Sequence, residues 1–271
     1  MMKTVMNKTL LAIALTTTLG VASSNAMAIV FPDFTVDPTS YAPGKSTFIA
    51  DKITGNYSEW ITVNSAGTGF DVSILWNAGQ FAANNGNTAL QSATTGLGGT
   101  YGLYALFQGT GALTFSSPST ANFNLASGNL ALYIDPKIDT GFVDPTAPQG
   151  QNPWTTTNSS DDLLLGTGTA LYGSGTLNTS CSGGINCGSF GQTTTFSLTA
   201  DGSKYFVKPI PFYNLSFESG QFNSFTPTGT QNINGSLDVV FGNTVPEPAS
   251  LALMGIGLMG LGLSVRRRKQ A

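Results

Sequence analysis

The chain has 271 residues, of which 9% are charged, and a formal net charge of −3 with no histidine at any position. Without histidine, Ser-His-Asp and Cys-His catalysis are excluded. So weakly charged a chain also lacks the basic patch that phosphate backbones require, so nucleic acid is not an expected partner.

Residues 1–28 read as a secretory signal peptide. Lys3 and Lys8 supply a positive start, Leu10 to Leu15 begins a short apolar run, and Ala26-Met27-Ala28 is a small-x-small cleavage site for signal peptidase. Cleavage there makes Ile29 the first residue of the exported body, 29–244. That body carries thirteen acidic and five basic residues, a net charge of −8, and no arginine.

Through the body, apolar residues recur with period two rather than 3.6. YSEWITV and FDVSILW alternate in this way, followed by YGLYALFQ, in which Tyr101, Leu103, Ala105 and Phe107 share one face. The other face of that segment holds Tyr104 and Leu106, so burial on both sides is expected. GALTFSS, ANFNLA, NLALYID, TTTFSLTA and YNLSFES follow, and the last strand places Ile233, Leu237, Val239 and Phe241 on one face. Turn chemistry separates them, as in Ala83-Asn84-Asn85-Gly86-Asn87. The pattern predicts a single all-β domain, a sandwich or jelly-roll-like fold or a barrel, with Gly102–Gln108 and Ser236–Phe241 among its central strands.

Two stretches resist strand assignment. Thr140 to Ser160 contains three prolines and many small polar residues, and is expected to be a long loop or a linker between sheets. Cys181 and Cys187 lie in CSGGINC, where glycine tolerates the dihedrals of a small ring. Export favours a disulfide; the competing reading, a metal pair, has only half the ligands of a zinc site.

Carboxylates are the remaining source of chemistry. Glu59, Glu218 and the aspartates could in principle supply a glycosidase pair, but no spacing singles one out. Asp135, Asp139 and Asp144 lie in YIDPKIDTGFVDP and could hold Ca²⁺, although their spacing does not match an EF-hand and Asp-Pro steps are ordinary turns; Asp161-Asp162 before LLLG is a weaker version of the same idea. No other cofactor is expected. Among the aromatics, Trp60 and Trp76 sit in alternating strands and read as core. Trp154, after Pro153 in the proline-rich stretch, is the better candidate for an exposed sugar contact, set against the strong burial drive of any large aromatic.

The chain ends in Pro246-Glu247-Pro248, an uncharged run over 249–265, and Arg266, Arg267, Arg268 and Lys269. Seventeen helical residues reach about 25 Å, just enough for a hydrocarbon core. The basic cluster stays on the cytoplasmic side, which leaves the body outside an inner membrane crossed transiently by 249–265. The prolines hold an extended backbone that a protease cleft can accept. This order resembles the PEP-CTERM sorting signal of Gram-negative bacteria that make exopolysaccharide. The resemblance implies cutting near Pro246–Pro248 by the membrane protease exosortase, followed by delivery to the cell surface or extracellular matrix.

FPDFTVDPTSY, LALYIDP and PFYNLSFESGQFN further resemble flocculation-associated PEP-CTERM proteins of the PepA type. That resemblance implies a non-enzymatic, adhesive protein of the exopolysaccharide matrix that promotes flocculation or biofilm formation. The alternative is a carbohydrate-active enzyme or carbohydrate-binding module sorted by the same signal.

Overall fold

The computed structural model describes residues 31–181, 187–219 and 225–242. In chain order these form β1 (Phe34–Val36), β2 (Phe48–Ala50), β3 (Lys52–Val63), β4 (Gly69–Ala83) and β5 (Thr88–Leu90), then the single turn α1 (Ser92–Thr95). β6 (Gly102–Ser117) and β7 (Thr120–Asp135) follow, then the short β8 (Gly141–Val143) and β9 (Thr155–Thr157). The remainder is β10 (Leu163–Asn178), β11 (Gly188–Thr194), β12 (Ser197–Leu198), α2 (Ala200–Tyr205), β13 (Phe206–Lys208), β14 (Asn214–Ser219) and β15 (Thr230–Gly242). Among the described residues, no helix is long and apolar enough to cross a membrane. The expected 249–265 helix lies outside them.

The fold is all-β, and its main sheet returns on itself. The path runs β11-β14-β15-β3-β4-β6-β7-β10, and β10 also pairs with β11. Every one of these pairings is antiparallel. A closed ring leaves no unpaired edge, and at this size its interior is filled by side chains with room for little else.

Period-two alternation decides which side chains enter. Ile53, Tyr57, Ile61 and Val63 of β3 point inward, as do Leu103, Ala105 and Phe107 of β6 and Leu237, Val239 and Phe241 of β15. Trp76 is fully buried among them, and its indole Nε1 donates to the Leu237 carbonyl at 2.9 Å. Diagonally across on β3, Gly55 leaves the space the indole needs: a Cβ there would stand 2.5 Å from Nε1.

The small sheet β13-β1-β2 sits at the end of the ring where β4 and β15 finish. Phe34 of β1 packs edge-on against Phe241 at 4.9 Å and Phe206 at 6.0 Å, which excludes water from that opening. Nearby, the Asn84-Asn85-Gly86 turn takes left-handed dihedrals, as its residue types suggest. The buried Asp51 carboxylate accepts from the amides of Asn85 at 2.6 Å and Gly86 at 3.0 Å, so its burial is compensated.

At the opposite end, Cys181 and Cys187 form a disulfide with Cα atoms 5.6 Å apart. It joins the end of β10 to the start of β11, where the Asn178 amide also donates to the Cys187 carbonyl at 2.7 Å. Reduction should lower stability by about 2 kcal/mol on the loop-closure scale. Urea unfolding with and without reductant measures this; an unchanged midpoint would show that the bridge is dispensable.

Candidate functional site

Inside the ring, one carboxyl interrupts the inward face of β3. Glu59 stands between Tyr57 and Ile61 in the alternation and opposite Ile74 of β4 and Ile233 of β15. It is 5% exposed. Beside it is a cavity of about 50 Å³ bordered by Phe70, Phe123, Phe190 and Gln192. Gln192 is itself buried, and its Nε2 has no hydrogen-bond partner among the described residues. Burial pushes the Glu59 carboxyl up to about 8, so it is mostly protonated near neutrality. Burial also raises the Tyr57 phenol, and the adjacent carboxylate adds to that shift. A space of this size suits water rather than a sugar.

Glycoside hydrolysis needs two carboxyl groups facing one bond. Glu59 is the only carboxylate bordering its cavity among the described residues. Glu218 is exposed on β14 and borders a groove with Asp238 on the other side of the wall. The fold therefore separates the two glutamates that the sequence offered as a pair.

Outside the ring, Thr140–Ser160 is neither a free loop nor a linker between sheets. β8 and β9 pair as a two-stranded ribbon, and the segment lies against the outer face of β3, β4 and β6. Apolar outward residues of the wall require such a cover. Leu75, Tyr104 and Trp154 form a buried cluster, with Trp60, Leu106, Tyr133 and Phe142 packed around it. Trp154 is 8% exposed, and its Nε1 lies 3.3 Å from the Ser73 carbonyl. Of the two readings of Trp154, the exposed sugar contact is therefore set aside: the wall's apolar outer face draws the indole in. Trp76 is core as expected, whereas Trp60 is only partly buried and lies on the outer face. The cap is pinned by hydrogen bonds as well, with the Gly150 amide donating to Thr62 Oγ1 at 3.0 Å and Gln108 Nε2 to the Gln151 carbonyl at 2.6 Å.

The three aspartates proposed for Ca²⁺ do not meet. Asp144 Oδ1 accepts from the Trp60 indole at 2.8 Å, which ties the cap to β3. Asp161 takes its place beside Asp135 and Asp139, with one carboxylate oxygen from each lying within 4.8 Å of the others. Asp135 is already engaged by the amides of Lys137, Ile138 and Thr140 at 3.0, 2.7 and 3.0 Å. Burial works to raise its pKa, but those donors together hold it below the ordinary carboxylate range. Asp161 Oδ2 makes no hydrogen bond, yet its charge is met by Lys137 Nζ at 3.3 Å. Neighbouring Asp162 accepts from Tyr104 at 2.6 Å and from Thr140 at 2.8 Å. Residue order offers Asp161-Asp162 only as a separate, weaker site; the pairing of β7 with β10, not chain proximity, brings Asp161 beside Asp135.

The expected processing residues Ala26, Ala28, Pro246, Glu247, Pro248, Arg266, Arg267 and Arg268 lie outside the described residues. Residues 244–269 match the family model of the PEP-CTERM protein-sorting motif. The motif marks an exported protein that exosortase sorts by way of the membrane. No curated protein and no solved structure matches the chain.

Glu59 gives the protein a pH dependence with a defined sign. Its folded-state pKa lies above its ordinary 4.5, at about 8, so the folded form holds a proton that the unfolded form releases. Stability should fall as pH rises from about 4.5 to about 8, by on the order of 4 kcal/mol. Glu59→Gln should remove that slope and raise the urea midpoint above pH 8. A variant whose midpoint follows the wild-type pH profile would show that Glu59 is not the titrating group.

Proposed function

We propose that this exported, exosortase-sorted chain is a structural or adhesive protein of the exopolysaccharide matrix, where it promotes flocculation, and that it is not an enzyme. The observation that carries the reading is the sorting motif at 244–269, joined to an all-β body of low charge. The resemblance of FPDFTVDPTSY, LALYIDP and PFYNLSFESGQFN to flocculation-associated PEP-CTERM proteins supplies the finer role. A closed ring suits an extracytoplasmic scaffold, because it offers no edge for uncontrolled strand addition.

The enzymatic alternative draws on one observation, the raised pKa of Glu59 beside a cavity. Its weakness is the lack of a second carboxylate there. A polysaccharide pull-down combined with a reducing-sugar assay separates the two readings: retention without new reducing ends supports adhesion, and release of reducing ends supports the enzyme.

Signal peptidase and exosortase are the processing partners in this reading. The extracellular form should begin at Ile29 and end near Pro246–Pro248, which intact-mass measurement of secreted material checks. Recovery of an extracellular species still carrying Arg266–Lys269 would defeat the processing scheme. For the matrix role itself, deletion of the gene should abolish or strongly reduce flocs, and re-expression should restore them. Normal flocculation by the deletion strain at every salt concentration would defeat it. Because the body carries −8, flocs should strengthen with added NaCl, which screens charges that interact over about 30 Å in dilute electrolyte.

A further inference from the structure

The outer wall beyond the cap carries a trough of about 550 Å³. Strand register arranges its floor as two rows. In one, Gln108 of β6 faces Asn129 of β7, which faces Thr169 of β10. The Thr169 hydroxyl then meets that of Thr195, just beyond β11, at 3.1 Å. Two residues along each strand, on the same face, Leu106 faces Ala131, Ala131 faces Thr167, and Thr167 faces Ser197 of β12. Pro153 and Trp154 of the cap close the β6 side. With strands about 4.8 Å apart, three steps extend each row over about 14 Å.

The chemistry of the two rows is distinct. The first offers amides and hydroxyls, which supply both donors and acceptors. The second begins apolar, at Leu106 and Ala131. No ionisable side chain lines the trough among the described residues. Asn129, Thr167 and Ser197 are exposed and make no side-chain hydrogen bond there. A sugar ring has the matching form: a face of C–H bonds and a rim of hydroxyls. Charge narrows the class further, because an acidic polymer would find no cation in the trough and a body of −8 around it.

We propose that this trough binds a neutral polysaccharide laid across the strands, with C–H faces on Leu106 and Ala131 and hydroxyls on Gln108, Asn129 and Thr169. The proposal rests on the matrix reading for its biological setting and deepens it by naming the class of glycan.

Affinity electrophoresis of the exported protein tests it, with gels containing dextran, hydroxyethylcellulose or alginate. At least one of the two neutral polymers should retard migration, independently of NaCl, and alginate should not. Asn129→Ala/Thr169→Ala should weaken retardation about tenfold or more, the equivalent of two lost hydrogen bonds. Thr167→Arg, a bulky change at an exposed position, should also weaken it, whereas Asn124→Ala, exposed farther along β7, should not. Thermal unfolding of each variant confirms that the ring is intact. Retardation by alginate alone, or trough variants that bind the neutral polymer like wild type, would overturn the trough. So would a protein that no polymer retards. Floc formation keeps the two readings apart: a protein that restores flocs yet fails these gels loses the trough alone. A deletion strain that flocculates normally loses the matrix role whatever the gels show.

Discussion

β10 uses both of its edges, pairing with β7 on one side and with β11 on the other, while β15 returns to β3. That double closure is the constraint on which the molecule depends. An open sheet of these strands would leave rows of unpaired amides and carbonyls, a template for other chains. Closed, the same groups satisfy one another, and the alternation along each strand divides side chains into an inside and an outside. One of the closing pairings spans most of the chain: Asn232 and Ser58 meet across β15 and β3 with a separation of 174 residues. Such closure forms only after most of the chain has been ordered, which favours slow folding.

Two packing problems follow, and they are solved differently. Within the ring, Trp76 is accommodated because its one polar atom finds the Leu237 carbonyl and Gly55 yields space. Glu59 and Gln192 are not matched in this way. A buried carboxyl without a charged partner remains neutral instead, at a cost that an apolar residue of the same size would avoid. On the outside, Leu75, Tyr104 and Leu106 would leave an apolar patch on an exported protein, and the cap covers most of it. Where the cap stops, the same wall continues as the neutral trough.

This division places chemistry outside rather than inside. The interior is nearly filled, and the Glu59 carboxyl borders a space of about 50 Å³. The surface combines a wide groove that no ionisable group lines among the described residues and carboxylates already held by amides, Lys137, Tyr104 and Trp60. This arrangement belongs to a chain delivered beyond the membrane by its sorting motif.

Much of this was legible in residue order because it depends on local chemistry. Period-two alternation marks strands, Asn-Asn-Gly marks a turn, and two cysteines around glycines mark a ring, since each relation involves neighbours along the chain. Export was legible for a similar reason: the sorting motif is a continuous segment with its own composition. Tertiary structure decided whatever depends on which strand lies beside which. The choice of a closed ring rests on β10–β11 and β15–β3 pairing, which alternation does not encode. Trp154 reads as exposed from its prolines and polar neighbours, yet the apolar outer face of β4 and β6 buries it. Asp161 rather than Asp144 joins Asp135, and Glu59 faces away from Glu218, because a side chain's surroundings are set by the adjacent strand's register. The trough rows could not be seen for the same reason: Gln108, Asn129 and Thr169 are unremarkable singly, and only cross-strand pairing lines them up.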